Sequence, residues 1–255
     1  MKPLNIILLI LTNFVIGSCQ SQPSVEDIVL INVGNYDKGR IAKELSIINS
    51  LNPKVVSLDV AFPEYIGDKD DIDLFNVLES SKGLVMASEI SSLGEDIDGK
   101  EIISIALTCA VEFFPTHAKT GFVSAKVNIG ETEIPNQFTV WQKGSFSEDI
   151  YYHFSLTTVM AFDSLKAVHF VNNNPTKVRV DYANGTRKFK TFSASEVLSG
   201  KLRRSDIEGK IVMFGFLGPG DKDKFSTPLN KNSSEPDMYG VEYLANVVAQ
   251  ILESK

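Results

Sequence analysis

The chain has 255 residues, 43% of them hydrophobic and 22% charged, which is ordinary globular composition for one generous domain or two small ones. The formal net charge of −7, with no Lys/Arg run longer than "KLRR" (201–204), weighs against a nucleic-acid partner, because that affinity rests on clustered positive charge.

Residues 1–19, "MKPLNIILLILTNFVIGSC", hold one basic residue, Lys2, then an apolar stretch from Ile6 to Ile16, then small residues and Cys19. The stretch is short for a bilayer span and normal for the core of a secretory signal. Its ending, "IGSC", resembles the lipobox of bacterial lipoproteins, which implies cleavage before Cys19 and acylation of that cysteine. An uncleaved signal anchor and a buried amphiphilic segment are the alternatives. On the lipobox reading, 1–18 is a signal peptide, 19–26 a polar tether and 27–255 the folded domain. Several acyl chains on Cys19 would hold the protein firmly where one chain is marginal. Only Cys109 then remains, so no internal disulfide is expected. Its setting in "IISIALTCAV" suits a small hydrophobe rather than a reactive thiol.

Further along, "DIVLINVG" (27–34) and "PKVVSLDVAF" (53–62) predict buried strands, and "RIAKELSIINSL" (40–51) a helix with Ile41, Leu45, Ile48 and Leu51 on one face. Strand, helix and strand at this spacing make a parallel crossover the default. "DIDLFNVLESS" (71–81) predicts a second helix opened by acids, and "GLVMASEI" (83–90) a third strand. Between Asp96 and Gly144 come strand-like pieces at short spacing, "KEIISIALTCAVEFF" and "GFVSAKVNI" among them, which suggest inserted hairpins rather than further crossovers. "FSLTTVMAFDSL" (154–165) returns to helical character, and "TKVRVDYAN" (176–184) alternates as a strand up to an Asn184-Gly185 turn. In "SASEVLSGKL" (193–202), Ser193 and Glu196 form a capping box. "GKIVMFGFLG" (209–218) predicts a central strand, and "YGVEYLANVVAQILES" (239–254) an amphipathic closing helix. The whole predicts one α/β domain, with a mostly parallel central sheet, helices on both faces and an antiparallel or hairpin excursion in the middle.

The catalytic motifs fail one by one. "GFLGPGDKDKFS" (215–226) is glycine-rich after a strand, but Asp221 follows Gly220 and Phe225 follows Lys224, so the Lys-Ser/Thr pair of a phosphate loop is missing. The first strand runs into "GNYDKGR" without the glycine triplet of a dinucleotide fold, and no "GxSxG" elbow occurs. His117, His153 and His169 lack metal-ligand spacing and fit surface or satisfied histidines. Asp59 sits late in a strand, as in phosphatases with a nucleophilic aspartate, yet Ala61 stands where a second aspartate is needed. What remains is a set of acids at strand ends: Asp59 and Glu64 after the second strand, Glu89 at the third, Asp221 and Asp223 after "IVMFGF". In a parallel sheet these ends share the edge where such folds bind ligands. They serve either as caps for backbone amides or as an acidic cleft for a cationic or hydroxyl-rich ligand or a metal ion.

"TFSASEVLSGKL", "IEGKIVMFGF", "DKFSTPL" and "YGVEYLANVVAQIL", in that order, together with "VVSLDVAFPE", resemble the second type of CHASE domain. That is an extracytoplasmic sensory module of bacterial adenylate cyclases, histidine kinases and serine/threonine kinases. The likeness spans about residues 27–253, and "GFVSAKVNIGETEIPNQFTVW" carries it more weakly through the middle. It departs at Leu244, where family members often have a histidine. The resemblance implies stimulus recognition outside the cytoplasm, with no catalysis and no cofactor. Such domains usually precede membrane helices and an output domain; here the chain stops at Lys255, so a free-standing lipoprotein form or a piece of a longer protein is expected.

The expected function is therefore a membrane-tethered sensory module in the bacterial envelope, binding an unknown small molecule or envelope protein and acting through a partner. Its expected ligand residues are Asp59, Glu64, Asp221, Asp223, Thr227, Glu242 and Asn246. Glu242 and Asn246, four apart, share one helix face. An envelope hydrolase using the strand-end carboxylates is the alternative, and a purely structural partner a third reading. Replacing Cys19 by Ser is expected to move the protein out of the membrane fraction; a variant still retained there would refute lipidation.

Overall fold

The structure, a computed structural model, describes residues 25–34, 37–95, 101–123, 136–145, 149–182, 187–219, 223–230 and 235–255. Residues 1–24, and the Asn184-Gly185 turn, fall outside these. The chain opens with β1 (Ile28–Asn32), α1 (Lys38–Ser50), β2 (Val55–Leu58), α2 (Lys69–Ser80), β3 (Leu84–Glu95), β4 (Glu101–Leu107) and β5 (Lys119–Phe122). Small strands β6 (Gln137–Thr139), β7 (Trp141–Lys143) and β8 (Ile150–Tyr152) lead to helices α3 (Phe154–Phe162) and α4 (Ser164–Asn173). Then follow β9 (Lys177–Arg179), β10 (Lys190–Ser193), α5 (Ala194–Leu198), α6 (Arg204–Ile207) and β11 (Ile211–Gly215). A two-residue pair, β12 (Lys224–Phe225) and β13 (Met238–Tyr239), precedes the closing helix α7 (Gly240–Glu253).

The main sheet runs β10-β1-β11-β2-β3, with β3 pairing outward to both β4 and β5. Strands β10, β1, β11, β2, β3 and β5 are mutually parallel. Only β4 is antiparallel, paired along the second half of β3. The expectation of an antiparallel or hairpin excursion in the middle thus holds for the β3–β4 and β7–β8 hairpins and, as an antiparallel pair distant in the chain, for β6–β9. It fails at β5, which returns to extend the parallel sheet. The reason is that Phe122 needs burial and finds it in the sheet, with its ring edge-on to His153 at 5.5 Å.

Side chains alternate across the sheet with the period of a strand. Ile28, Leu30, Val55, Val85, Ile211 and Met213 pack under α3, α4 and α7, while Val29, Ile31, Val56, Leu58, Val212 and Phe214 pack under α1, α2 and α5. Both faces are covered, which is why these strands read as continuous apolar runs rather than alternating ones. Local signals set the helix starts. Asp68 accepts from the Asp71 N–H at 2.9 Å, the Ser193–Glu196 capping box is complete, and Asp163 ends α3 and starts α4 by accepting from the Lys166 N–H at 3.0 Å. The predicted helix over 154–165 is therefore two helices. Cys109 is a buried free thiol whose Sγ faces the Val60 carbonyl at 3.4 Å, and burial first of all pushes its pKa up, so it behaves as a core residue.

Helix α7 lies unusually close to β11. A Cβ built on Gly215 would come 2.5 Å from Val241 Cβ, and Val241 is fully buried. Gly215→Ala is expected to push α7 off the sheet and cost about 2 kcal/mol, lowering the melting temperature by about 4–8 °C; an unchanged melting temperature would contradict this packing.

Candidate functional site

All the parallel strands deliver their carboxyl ends to one edge, and β11 sits between β1 and β2. The loop after Phe216 therefore emerges between the tips of the first two strands. Two polar contacts fasten it there. Asn32, at the end of β1, accepts through Oδ1 from the Gly34 N–H at 2.9 Å and the Leu217 N–H at 3.0 Å. On the other side the Asp59 N–H donates to the Phe214 carbonyl at 2.9 Å, extending the β11–β2 ladder by one step.

This loop folds back on the start of α7. The Tyr239 hydroxyl donates to the Gly218 carbonyl, Phe216 packs edge-on to Tyr239 at 6.1 Å, and the Lys224 ammonium lies over the Tyr239 ring at 5.0 Å. Asp223 has a left-handed backbone, φ 61°, and its carbonyl accepts the Gly240 N–H at 3.0 Å. Its carboxylate oxygens lie 3.0 and 3.1 Å from where a Gly240 Cβ would stand, so glycine is what lets that carboxylate reach the first turn of α7. Negative charge is favoured there by the helix dipole.

Asp59 faces the same corner. Its carboxyl is pushed up to about 7, first by burial and then by the neighbouring Asp223 carboxylate. Two acids at the ligand edge of a parallel sheet, one of them half-protonated near neutrality, form the electrostatic centre of the site. Such a pair favours a cation or hydrogen-bond donors between the two carboxylates, and also suits proton transfer. Among the described residues no three His, Cys, Asp or Glu side chains converge on a point, so a metal here would be held by two carboxylates and completed by water.

The other expected residues do different work. Asp221 lies outside the described residues. Thr227 is buried with its N–H and Oγ1 both donating to Asp237, each at 2.7 Å, which closes the base of the β12–β13 hairpin. Glu242 caps α7, accepting the Tyr239 N–H at 3.0 Å. Asn246 is buried between the Glu242 carbonyl, to which its Nδ2 donates at 2.8 Å, and the Arg187 N–H, 3.4 Å from its Oδ1. It thus anchors α7 to the segment before β10 rather than to the loop. Glu64 is exposed, and Lys38 donates to its backbone carbonyl, not its side chain. Glu89 does not end its strand: β3 runs on to Glu95 and the residue is exposed. Of the strand-end acids among the described residues, then, only Asp59 and Asp223 are brought together. The buried His153 is a helix cap, its Nδ1 accepting from the Ser155 N–H at 3.3 Å, and burial pushes its pKa down to about 3. His117 bonds the Ser81 carbonyl at 2.8 Å and His169 is exposed, the satisfied and surface settings expected of them.

A family model for the CHASE2 domain matches residues 24–255. The chain belongs to the CHASE2 domain family. CHASE2 domains are extracytoplasmic sensory domains. No curated protein and no solved structure matches the chain.

Within this CHASE2 domain, two features escaped sequence reasoning. Glu44 of α1 is fully buried beside Arg40, 3.2 Å from its Nε, and burial foremost pushes its carboxyl up to about 7 despite that cation. Arg40 in turn donates to the Val33 carbonyl at the end of β1, so this pair braces the same edge from the opposite face. Asp71 is also fully buried. Burial acts to raise its pKa, but hydrogen bonds from Lys38 and from the Ile66 and Gly67 N–H groups outweigh it and hold the carboxyl below its usual range. Both residues fall within amphipathic helix patterns, where an acid signals a solvated face; only packing reveals otherwise.

The Asp59 shift carries a sign that can be checked. Folded Asp59 keeps a proton that the unfolded chain releases between about pH 4 and 7, so its ionisation opposes folding as pH rises through that window, and the full cost persists above pH 7. Because Asp59 is only partly buried, solvent screens some of this. Asp59→Asn is expected to raise stability by about 1–2 kcal/mol at pH 8 and to match wild type at pH 4, measured by urea unfolding; destabilisation at pH 8 would show the carboxylate to be a structural anion.

Proposed function

We propose that this chain is a sensory module tethered to the membrane on the extracytoplasmic side through lipid on Cys19, binding its ligand at the carboxyl edge of the sheet and acting through a partner protein. The observation that carries the proposal is the convergence of Asp59 and Asp223, from separate segments, on a corner pinned by Asn32 and by the first turn of α7. A carboxylate retained there at a cost to folding is what selection for binding leaves behind. The ligand class that fits is a cation or a molecule rich in hydroxyl donors. Sensing then requires that the ligand prefer one arrangement of the loop between β11 and α7 over another, and that the partner contact that loop or helix. The attachment in this reading is the lipid on Cys19; no helix among the described residues is long and apolar enough to cross a membrane.

One observation favours a second reading. An acid near pKa 7 beside a second carboxylate is also a general acid–base pair, as an envelope hydrolase would use. The two readings separate in one experiment on the full chain. Thermal unfolding is followed with calcium, magnesium, spermidine and trehalose, in the wild type and in Asp223→Asn, which keeps a residue type tolerant of positive φ. A binding module is expected to show saturable stabilisation by at least one of them, reduced in the variant and, for the cations, stronger above pH 7 where Asp59 is ionised. Shifts of equal size in both proteins would remove the ligand site from this corner. Turnover of phosphate or glycoside ester probes, lost on Asp59→Asn, would favour the hydrolase.

A further inference from the structure

Away from the acidic corner, a cleft of about 550 Å³ opens between the segment that follows β9 and the loop that follows β12. Its lining residues are Asn136, Arg179, Val180, Asp181, Tyr182, Pro228 and Leu229, and its volume is in the range that holds a small organic ligand. One wall is built rigidly. The Val180 N–H donates to the Asn136 carbonyl at 2.8 Å, and Gln250 of α7 bonds both the Asp181 N–H and the Arg179 carbonyl at 2.9 Å. The facing wall, Pro228-Leu229, is held at its base by Thr227 and Asp237.

We propose that this cleft binds a small amphipathic carboxylate. The inference rests on the reading of the chain as a sensory module but concerns a different site and the opposite charge. Arg179 has no ion-pair or hydrogen-bond partner for its guanidinium among the described residues. The neighbouring Asp181 is already matched, with Arg187 at 3.6 Å and Arg187 itself shared with Glu253 at 2.8 Å. Asp181 and Glu253 share Arg187, and Asp237 is held by the Thr227 N–H and hydroxyl, so Arg179 is the cation lining the cleft that is left to pair with an incoming group, and one guanidinium suits one carboxylate rather than a polyphosphate. The remaining wall is apolar: Val180, the Tyr182 ring, Pro228 and Leu229, the last 49% exposed. Leu229 has nothing to cover in the protein alone; an apolar ligand body gives it a partner. The Tyr182 hydroxyl is buried without a hydrogen-bond partner, so the packing on this side of the domain leaves a polar group unsatisfied. Pro228 and Leu229 lie just past β12, the short strand that Asp223 leads into, so an occupant of the cleft touches the segment that shapes the acidic corner.

The test uses the full chain with phenylacetate and indole-3-acetate as probes, and with acetate and phenylacetamide as controls for the apolar body and the charge. Titration calorimetry is expected to show saturable binding of at least one aryl acid, with both controls weaker by about tenfold or more. Arg179→Gln is expected to weaken the aryl acid about tenfold and Leu229→Ala about threefold, with melting temperatures unchanged because both side chains lie at the surface. Asp59→Asn should leave this binding as in the wild type, which separates the cleft from the acidic corner. Absence of saturable binding by both aryl acids, or equal binding by Arg179→Gln, overturns the assignment. So does loss of binding in Asp59→Asn, since that would place the probe at the sheet edge. Failure of calcium, spermidine and trehalose at the corner leaves these outcomes untouched, so the two proposals fail independently.

Discussion

Parallel ladders hold β11 on both sides, to β1 across Ile28–Asn32 and to β2 across Val55–Leu58, and every feature of the candidate site follows from that placement. A strand made late in the chain is inserted between the first two. Its following loop must then leave the sheet between their tips, and the helix after it must lie back across β11. The glycine at 215 makes that return possible at close range, and Asn32 and Asp59 meet the loop from either side. Were β11 at the outside of the sheet, Asp223 and Asp59 would have no reason to meet.

The electrostatics of the domain sort four of its buried or half-buried acids into two kinds. Asp71 and Asp206 are embraced by cations and N–H donors, and their pKa values fall: Asp71 by Lys38 and two backbone amides, Asp206 first by Lys190 and then by Arg203. These tie α2 and the β10 edge into place. Asp59 and Glu44 are instead raised to about 7, burial being the largest cause in each. A raised acid weakens the fold above its pKa, so its retention calls for a reason other than stability. Both flank the carboxyl edge, Asp59 beside the loop and Glu44 through Arg40 and the end of β1. In the function proposed above, that edge is where the ligand binds.

The family likeness was carried by stretches whose chemistry is mostly structural. In "DKFSTPL" the threonine satisfies Asp237, and in "GVExxAN" the glutamate caps α7 while the asparagine anchors Arg187. These polar residues serve backbone amides that would otherwise be buried unpaired. Such motifs identify a fold with confidence because its geometry demands them, and for the same reason they locate a ligand poorly. The cleft lined by Arg179 and Leu229 belongs to none of them.

From sequence alone came much that depends on near neighbours: the crossover pattern, the capping box at Ser193, the buried strands, the amphipathic α7, and the lack of phosphate-loop and metal-site spacing. These are settled within a turn or two of chain by hydrogen bonds and periodicity. Tertiary structure alone decided the strand order, the parallel return of β5, which two of the strand-end acids meet, and the burial of Glu44 and Asp71. Those outcomes depend on contacts between elements distant in the chain, from some thirty residues for β5 on β3 to more than a hundred and fifty for β11 on β2, where a side chain's partner is set by the sheet's order and not by its distance along the chain.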